Sequence, residues 1–300
     1  MKEAAVAANR SVALPRKKLF RLPVWKRRTL SAADLFVYGA VASVLFIVLC
    51  ALAPQWIAPF SPTEMKADRV LLAPTWQHLF GTDYFGRDVF SVVVYGSRDS
   101  LIIGVVSVLI GSVAGGLIGA LSGYIGGIVD TALMRFIDVL MTIPGVLLAL
   151  AIAAALGPSL TNVVLSVAAA AVPGYARVMR GTILSIKGRA YITASRSIGT
   201  SGFAIFWRHV LPNSLSPLFV MAAIGIGSSI LTGSGLSFLG LGTIKEIPDW
   251  GALLSQGRGY LTVAWWICTF PGLAITLFVL SINLLGDRIR DHLDPKRSRA

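Results

Sequence analysis

A chain of 300 residues is long enough for one or two domains, yet 55% of its residues are hydrophobic and 14% charged, with a mean hydropathy of +0.74. That balance leaves too little polar surface for a water-soluble globule, so part of the chain is solvated by lipid. A net charge of +13 suggests nucleic acid as a partner for a soluble protein, but here the basic residues are scattered over separate segments, which argues against that reading.

The first 34 residues form a basic arm with nine Lys and Arg. Arg16-Lys17-Lys18-Leu19-Phe20-Arg21 and Trp25-Lys26-Arg27-Arg28 interleave cationic with apolar and aromatic side chains. This composition suits a segment lying on anionic headgroups, and equally a disordered basic arm. The apolar run that follows, with Ala51-Leu52-Ala53 near its end, has features of a secretory signal. The arm is too long for one, so the run is read as an uncleaved signal anchor.

A bilayer core about 30 Å thick needs about 20 apolar residues in a helix. Six runs of roughly that size occur, at 35–54, 101–123, 132–156, 162–178, 217–239 and 262–285. The expected fold class is an all-α membrane protein with six transmembrane helices. If the first crossing is counted as odd, 21 of the 27 Lys and Arg fall on one side and six on the other. The excess of basic residues in short loops marks the cytoplasmic side, so both termini are expected there and the 55–98 loop outside.

In the second run Gly111, Gly115, Gly119, Gly123 and Gly127 recur every four residues. The period places them near one helix face, where small residues let another helix approach closely. In the third, Asp138 stands one turn after Arg135 and before Pro144. It is read as half of a local Arg135–Asp138 ion pair rather than as a proton relay. The fourth run is short, and Pro173-Gly174 is expected to kink or end it. Cys50 and Cys268 fall inside apolar runs and are read as small buried side chains, and His78, His209 and His292 are too dispersed for a metal cluster.

Between the fourth and fifth runs, 177–216 carries Arg177, Arg180, Lys187, Arg189, Arg196 and Arg208 and no acid. Forty residues exceed what a plain connector needs. Tyr191, Ala194, Ile198 and Ile205 are spaced to give one apolar edge, interrupted by Gly199 and Gly202. Two short helices with a glycine break are expected, as a docking surface for another protein.

The order Thr193-Ala194-Ser195, Gly199, His209-Val210-Leu211-Pro212 resembles the "EAA" loop of binding-protein-dependent ABC importer permeases, position by position from Tyr191 to Asn213. Thr193 stands where the family has Glu, and Ser195 replaces its second Ala. Gly81-Thr82-Asp83, Gly86-Arg87-Asp88, Tyr95-Gly96-Ser97-Arg98, Leu236-Ser237-Phe238-Leu239-Gly240-Leu241-Gly242 with Trp250-Gly251, and Phe270-Pro271-Gly272 with Asn283-Leu284-Leu285-Gly286-Asp287 narrow the resemblance. They point to the second of the two unlike permease subunits of dipeptide, oligopeptide and nickel importers, and the likeness spans about residues 75–295.

The resemblance implies a type I ABC importer permease fold. Its core is expected at 97–286, with a coupling loop at 179–216 and a cytoplasmic tail at 287–300. It further implies that Arg189, Tyr191, Thr193, Ala194, Ser195, Ile198, Gly199, His209 and Pro212 contact a separate cytoplasmic ATPase, which holds ATP and Mg. A second unlike permease and an extracytoplasmic substrate-binding protein complete the expected complex. Trp56, Trp76, Phe80, Tyr84 and Phe85, with Glu64, Asp68, Asp83 and Asp88, suit a surface for that binding protein and equally an interfacial aromatic belt. The chain itself has no phosphate-binding loop around Lys187 and no hydrolase signature. No catalytic residue, bound cofactor or metal is expected. An ion-coupled carrier is the rival reading, but it explains neither the acid-free loop nor the scarcity of intramembrane acids. Peptides are the expected substrates, with nickel chelates, haem and other small solutes left open.

Overall fold

The computed structural model describes residues 32–293; most of the basic arm and the last residues of the tail lie outside them. The first helix, α1 (Ala32–Leu52), matches the first apolar run. A one-turn helix, α2 (Pro54–Ile57), follows. Helix α3 (Val89–Ile125) has 37 residues, about 55 Å at 1.5 Å per residue, far more than a bilayer core requires. Its extra length is the initial part, which is buried in a block outside the apolar run. The expected 55–98 loop is therefore shorter than predicted, because Asp88 caps α3 by accepting from the Ser91 amide at 2.8 Å and the helix starts there.

That block is held by polar staples between distant segments. Arg87 donates to the Asp83 carboxylate at 2.7 Å and to the Glu246 carbonyl at 2.9 Å. The indole N–H of Trp266 donates to the Thr82 carbonyl at 3.0 Å, and that of Trp250 to the Val93 carbonyl at 2.9 Å. Phe80 stacks on Phe270 with centroids 3.8 Å apart. Gly86 has φ of +74°, and a Cβ there would lie 2.0 Å from the Lys66 carbonyl oxygen. The motifs at 81–88 thus serve folding. Among the aromatics of this region, Trp56, Trp76 and Phe85 stay exposed.

Helix α4 (Gly127–Met141) and helix α5 (Gly145–Leu156) together occupy the third apolar run, but they meet at 89°. One straight crossing was expected. Pro144 lacks an amide hydrogen and pushes Ile143 away from helical geometry, so the run breaks. Helix α6 (Leu160–Lys187) is by contrast continuous through Pro173 and extends nine residues beyond the predicted span. Proline costs it one hydrogen bond, and packing against α3 holds the rest in line.

The glycine period explains that packing. A Cβ on Gly111 would lie 3.0 Å from the Ala168 carbonyl oxygen, on Gly115 2.6 Å from that of Val172, on Gly119 2.3 Å from that of Ala176, and on Gly123 3.0 Å from that of Arg180. Four successive turns of α3 therefore rest directly on the backbone of α6. Gly127 does not belong to this stripe. With Gly126 it adopts positive φ, +58° and +77°, and the two turn the chain from α3 into α4. Asp138 pairs with Arg177 of α6 at 2.6 Å rather than with Arg135, because α4 lies alongside α6 and brings an arginine 39 residues away within reach.

After two short helices, α7 (Ala190–Ser197) and α8 (Gly202–Ile205), and a wide turn at Phe206–Val210, helix α9 (Leu211–Leu236) forms the fifth span. Helix α10 (Trp250–Gly257) joins the block held by the 81–88 turns, and α11 (Trp266–Leu293) occupies the sixth apolar run. Among the described residues five helices are long and apolar enough to cross a bilayer, six if the α4–α5 pair is one span. Asp249 caps α10, accepting from the Gly251 and Ala252 amides at 2.8 and 3.2 Å through one carboxylate oxygen. The other oxygen is buried, and burial pushes this carboxyl above its ordinary pKa.

Two stability predictions follow from these contacts. Gly119→Ala drives a methyl group into the Ala176 carbonyl and should destabilise the purified protein by about 1–3 kcal/mol, whereas Gly145→Ala, which meets nothing within 4 Å, should not. Thermal unfolding in detergent checks this. Asp249 binds its proton more tightly when folded, so the cost of burying its charge is absent at low pH and grows as pH rises through and beyond the ordinary carboxylate value, about 4. Asp249→Asn keeps a capping oxygen and should gain stability relative to the parent as pH rises above about 4; a difference that does not grow with pH would contradict the assignment.

Candidate functional site

The segment after α6 folds as two short helices hinged at a glycine, as the sequence predicts. Arg189 sits at the N-cap of α7 and is exposed. Helix α7 closes where the Gly199 amide donates to the Arg196 carbonyl at 2.9 Å and the Thr200 amide to that of Ser195 at 3.1 Å. Gly199 has φ of +85°, a conformation that favours glycine. Ser201 then caps α8 by accepting from the Ala204 amide.

The expected loop at 179–216 is thus largely helical, since its first residues finish α6 and its last begin α9. Pro212 is accommodated in the first turn of α9, where an amide has no intrahelical partner. The predicted apolar edge divides. Ile205 is fully buried, while Ile198 is 83% exposed and Tyr191 and Ala194 face outward. Ile192 and Val210, which the spacing did not single out, are also fully buried. They join Ile205, Met179, Ile183 and Ile186 in one apolar cluster that seats the unit on α6. Thr193, Ala194, Gly199 and Pro212 remain exposed, Ser195 and His209 half-buried, and the Tyr191 and His209 rings meet edge-on at 6.2 Å. The residues implied by the resemblance therefore gather on one compact unit with its anchors inward and an uncovered outer surface.

A second feature was not legible beforehand. A cavity of about 880 Å³ opens where the broken span faces α6 and α9. Pro144 lies on one wall, Tyr175 and Met221 on others, with Ser228 and Ser229 supplying hydroxyls and Arg290 a guanidinium. Gly225 makes room for Tyr175, since a Cβ there would lie 2.3 Å from the phenol oxygen. The available signal was the run of Gly and Ser along α9, which marks a surface other than a plain lipid-facing one.

Residues 115–299 match the family of binding-protein-dependent transport system inner membrane components. The chain belongs to that family. It is 41% identical over 268 residues to the di/tripeptide transport system permease protein DppC of Pseudomonas aeruginosa, covering 87% of this chain and 88% of the relative. It is 43% identical to the probable D,D-dipeptide transport system permease protein DdpC of Escherichia coli, with 89% of both chains covered. It is 44% identical to the glutathione transport system permease protein GsiD of Shigella sonnei, covering 86% of this chain and 85% of the relative. Among solved structures it resembles the MetNI methionine ABC transporter in inward-facing conformations, at a TM-score of 0.55 and 22% identity, over 67% of this chain and 96% of that one. An amino acid ABC transporter with histidines gives 0.51 and 15%, over 68% and 94%. These two likenesses identify the fold as that of the MetI-like ABC permeases. Family membership makes this permease a multi-pass inner-membrane transport subunit rather than an enzyme, working with an ATPase and a substrate-binding protein.

Gly199→Asp and Ala194→Asp place a bulky acid on the exposed unit, the first at a φ that also costs an L-residue about 1–2 kcal/mol. Because nothing lies within 4 Å of a Cβ at Gly199, both variants should still insert and assemble in the membrane while losing transport. Normal uptake by either, measured beside its abundance in the membrane, would contradict the assignment of this surface.

Proposed function

We propose that this chain is one permease subunit of an ATP-driven, binding-protein-dependent importer of peptides of the dipeptide and oligopeptide class. In this reading it forms half of the translocation path together with a second, unlike permease. The unit from Arg189 to Pro212 seats in a cytoplasmic ATPase that binds ATP and Mg, and ATP-driven movement of that unit turns the cavity toward the outside. The observation that carries the reading is the presentation of α7, Gly199 and α8 as an outward surface on buried Ile192, Ile205 and Val210. Relatives named for di/tripeptide, D,D-dipeptide and glutathione transport support the substrate class. The cavity supports it too: hydroxyls and one guanidinium among apolar walls match a small solute with amide groups and a carboxylate.

The basic bias of the sequence supports both termini, the α7–α8 unit and the 287–300 tail on the cytoplasmic side, and 55–88 outside. Thr193 in place of the family Glu removes one acid from the docking surface, and the nearby Arg189 and Arg196 supply charge for an acidic ATPase groove instead.

Reconstitution tests this. The chain co-expressed with its ATPase, second permease and binding protein should co-purify with the ATPase and take up labelled dipeptide only with ATP and loaded binding protein. Uptake by the lone chain driven by an ion gradient would instead establish a secondary carrier. Gln77→Cys and Ser201→Cys, both at exposed positions, check topology: an impermeant maleimide added outside intact cells should reach the first and not the second, and labelling of the second would invert the arrangement.

A further inference from the structure

Helix α4 carries the first part of the cavity wall, from Leu140 and Met141 to the break at Pro144. Its attachment to the rest of the chain is unusual. Of its fifteen residues Ile137 alone is buried, so little apolar packing fixes it within this chain. It joins α3 through Gly126 and Gly127, both at positive φ. Two ion pairs hold it alongside α6: Asp138 with Arg177, and Asp130 with Arg180. The second is a fork, with the Arg180 Nε and Nη2 at 2.5 and 2.6 Å from the two Asp130 oxygens, and the Ser122 hydroxyl of α3 also donates to Asp130.

The same end of α3 is tied to the α7–α8 unit. Lys187, the last residue of α6, donates to the Gly123 and Tyr124 carbonyls at 3.1 and 2.7 Å and lies 5.2 Å from the centre of the Tyr124 ring. It thereby satisfies carbonyls at the C-terminus of α3, where a cation is favoured. The Tyr124 hydroxyl donates to the Gly202 carbonyl at the start of α8, and its ring packs on Phe206 at 4.7 Å. Polar contacts therefore run without a gap from α8 through Tyr124 and Lys187 to α6, and from Arg180 through Asp130 to α4.

We propose that Asp130 and Arg180, with Lys187 and Tyr124, are positioning residues that latch the hinged cavity wall α4 to the α7–α8 unit, so that displacement of that unit is delivered to the cavity. This rests on the functional reading above. Rigid packing joins α3 to α6, whereas glycine and ion pairs join α4 to both. The ion pairs are the contacts that exchange partners at low cost when the wall swings, because neither requires an apolar core to open.

The test uses the assembled transporter in proteoliposomes, reading ATP hydrolysis and peptide uptake in the same sample. Asp130→Asn and Lys187→Met should co-purify with the ATPase as the parent does and retain its basal hydrolysis. Uptake per ATP hydrolysed should fall by about fivefold or more, the lower range for coupling between sites. The exchange Asp130→Arg with Arg180→Asp, which rebuilds the fork in reverse, should recover most of it. A purely structural role would lower complex yield and both activities in parallel, and that result overturns the proposal. So does unchanged uptake per ATP in Asp130→Asn, or failure of the exchange to recover what the single change lost. Lack of ATP-dependent uptake by the parent complex would instead overturn the functional reading itself.

Discussion

The permease is organised around a place where two helix backbones touch. Gly111, Gly115, Gly119 and Gly123 leave α3 without side chains along one face, and the carbonyls of α6 fill the space. In lipid the gain from such an approach is van der Waals contact and little else, because hydrocarbon offers no hydrophobic drive between apolar helices. The stripe spans four turns, which makes α3 and α6 one stiff body. The α7–α8 unit rests on one end of that body through Ile192, Ile205 and Val210, and the cavity opens beside its middle at Tyr175. A methyl group at Gly115 or Gly119 would meet the α6 backbone at 2.6 or 2.3 Å and force the two helices apart.

How much of this was visible in the sequence varied with the range of the interaction. The apolar runs located the spans because bilayer thickness imposes a length on each of them. The glycine period located the α3–α6 contact, since a period of four maps onto one helix face. It failed at Gly127, where φ is set by the chain reversal and not by the period. Gly199 and Gly202, interrupting the apolar spacing, foretold two short helices. Pairings between distant segments were hidden. Asp138 had an arginine one turn away in sequence, and the partner it meets belongs to another helix. The start of α3 was missed because its first turns contain Ser, Tyr, Arg and Asp, a composition explained by burial against Trp250 and the 81–88 turns rather than by lipid.

The cavity lay beyond sequence reasoning for a related reason. Its walls come from five helices and owe their shape to the 89° break at Pro144. A proline in an apolar run signals irregularity, but the direction of the bend is decided by what the two halves pack against. The broken span also separates two mechanical characters within the chain. On one side of Gly126 lies close-packed backbone; on the other, α4 is held mainly by charge.

The staples of the block at 81–88 bear on how the protein is made. Thr82 accepts its hydrogen bond from Trp266, 184 residues later, and Phe80 stacks on Phe270 of the last membrane helix. During synthesis the 54–88 segment therefore emerges long before the groups that complete it. Until α11 has been translated and inserted, the Arg87–Asp83 pair and the rings beside it stand without their cover. Closure of this block comes last, and it marks a chain whose last membrane helix has been delivered.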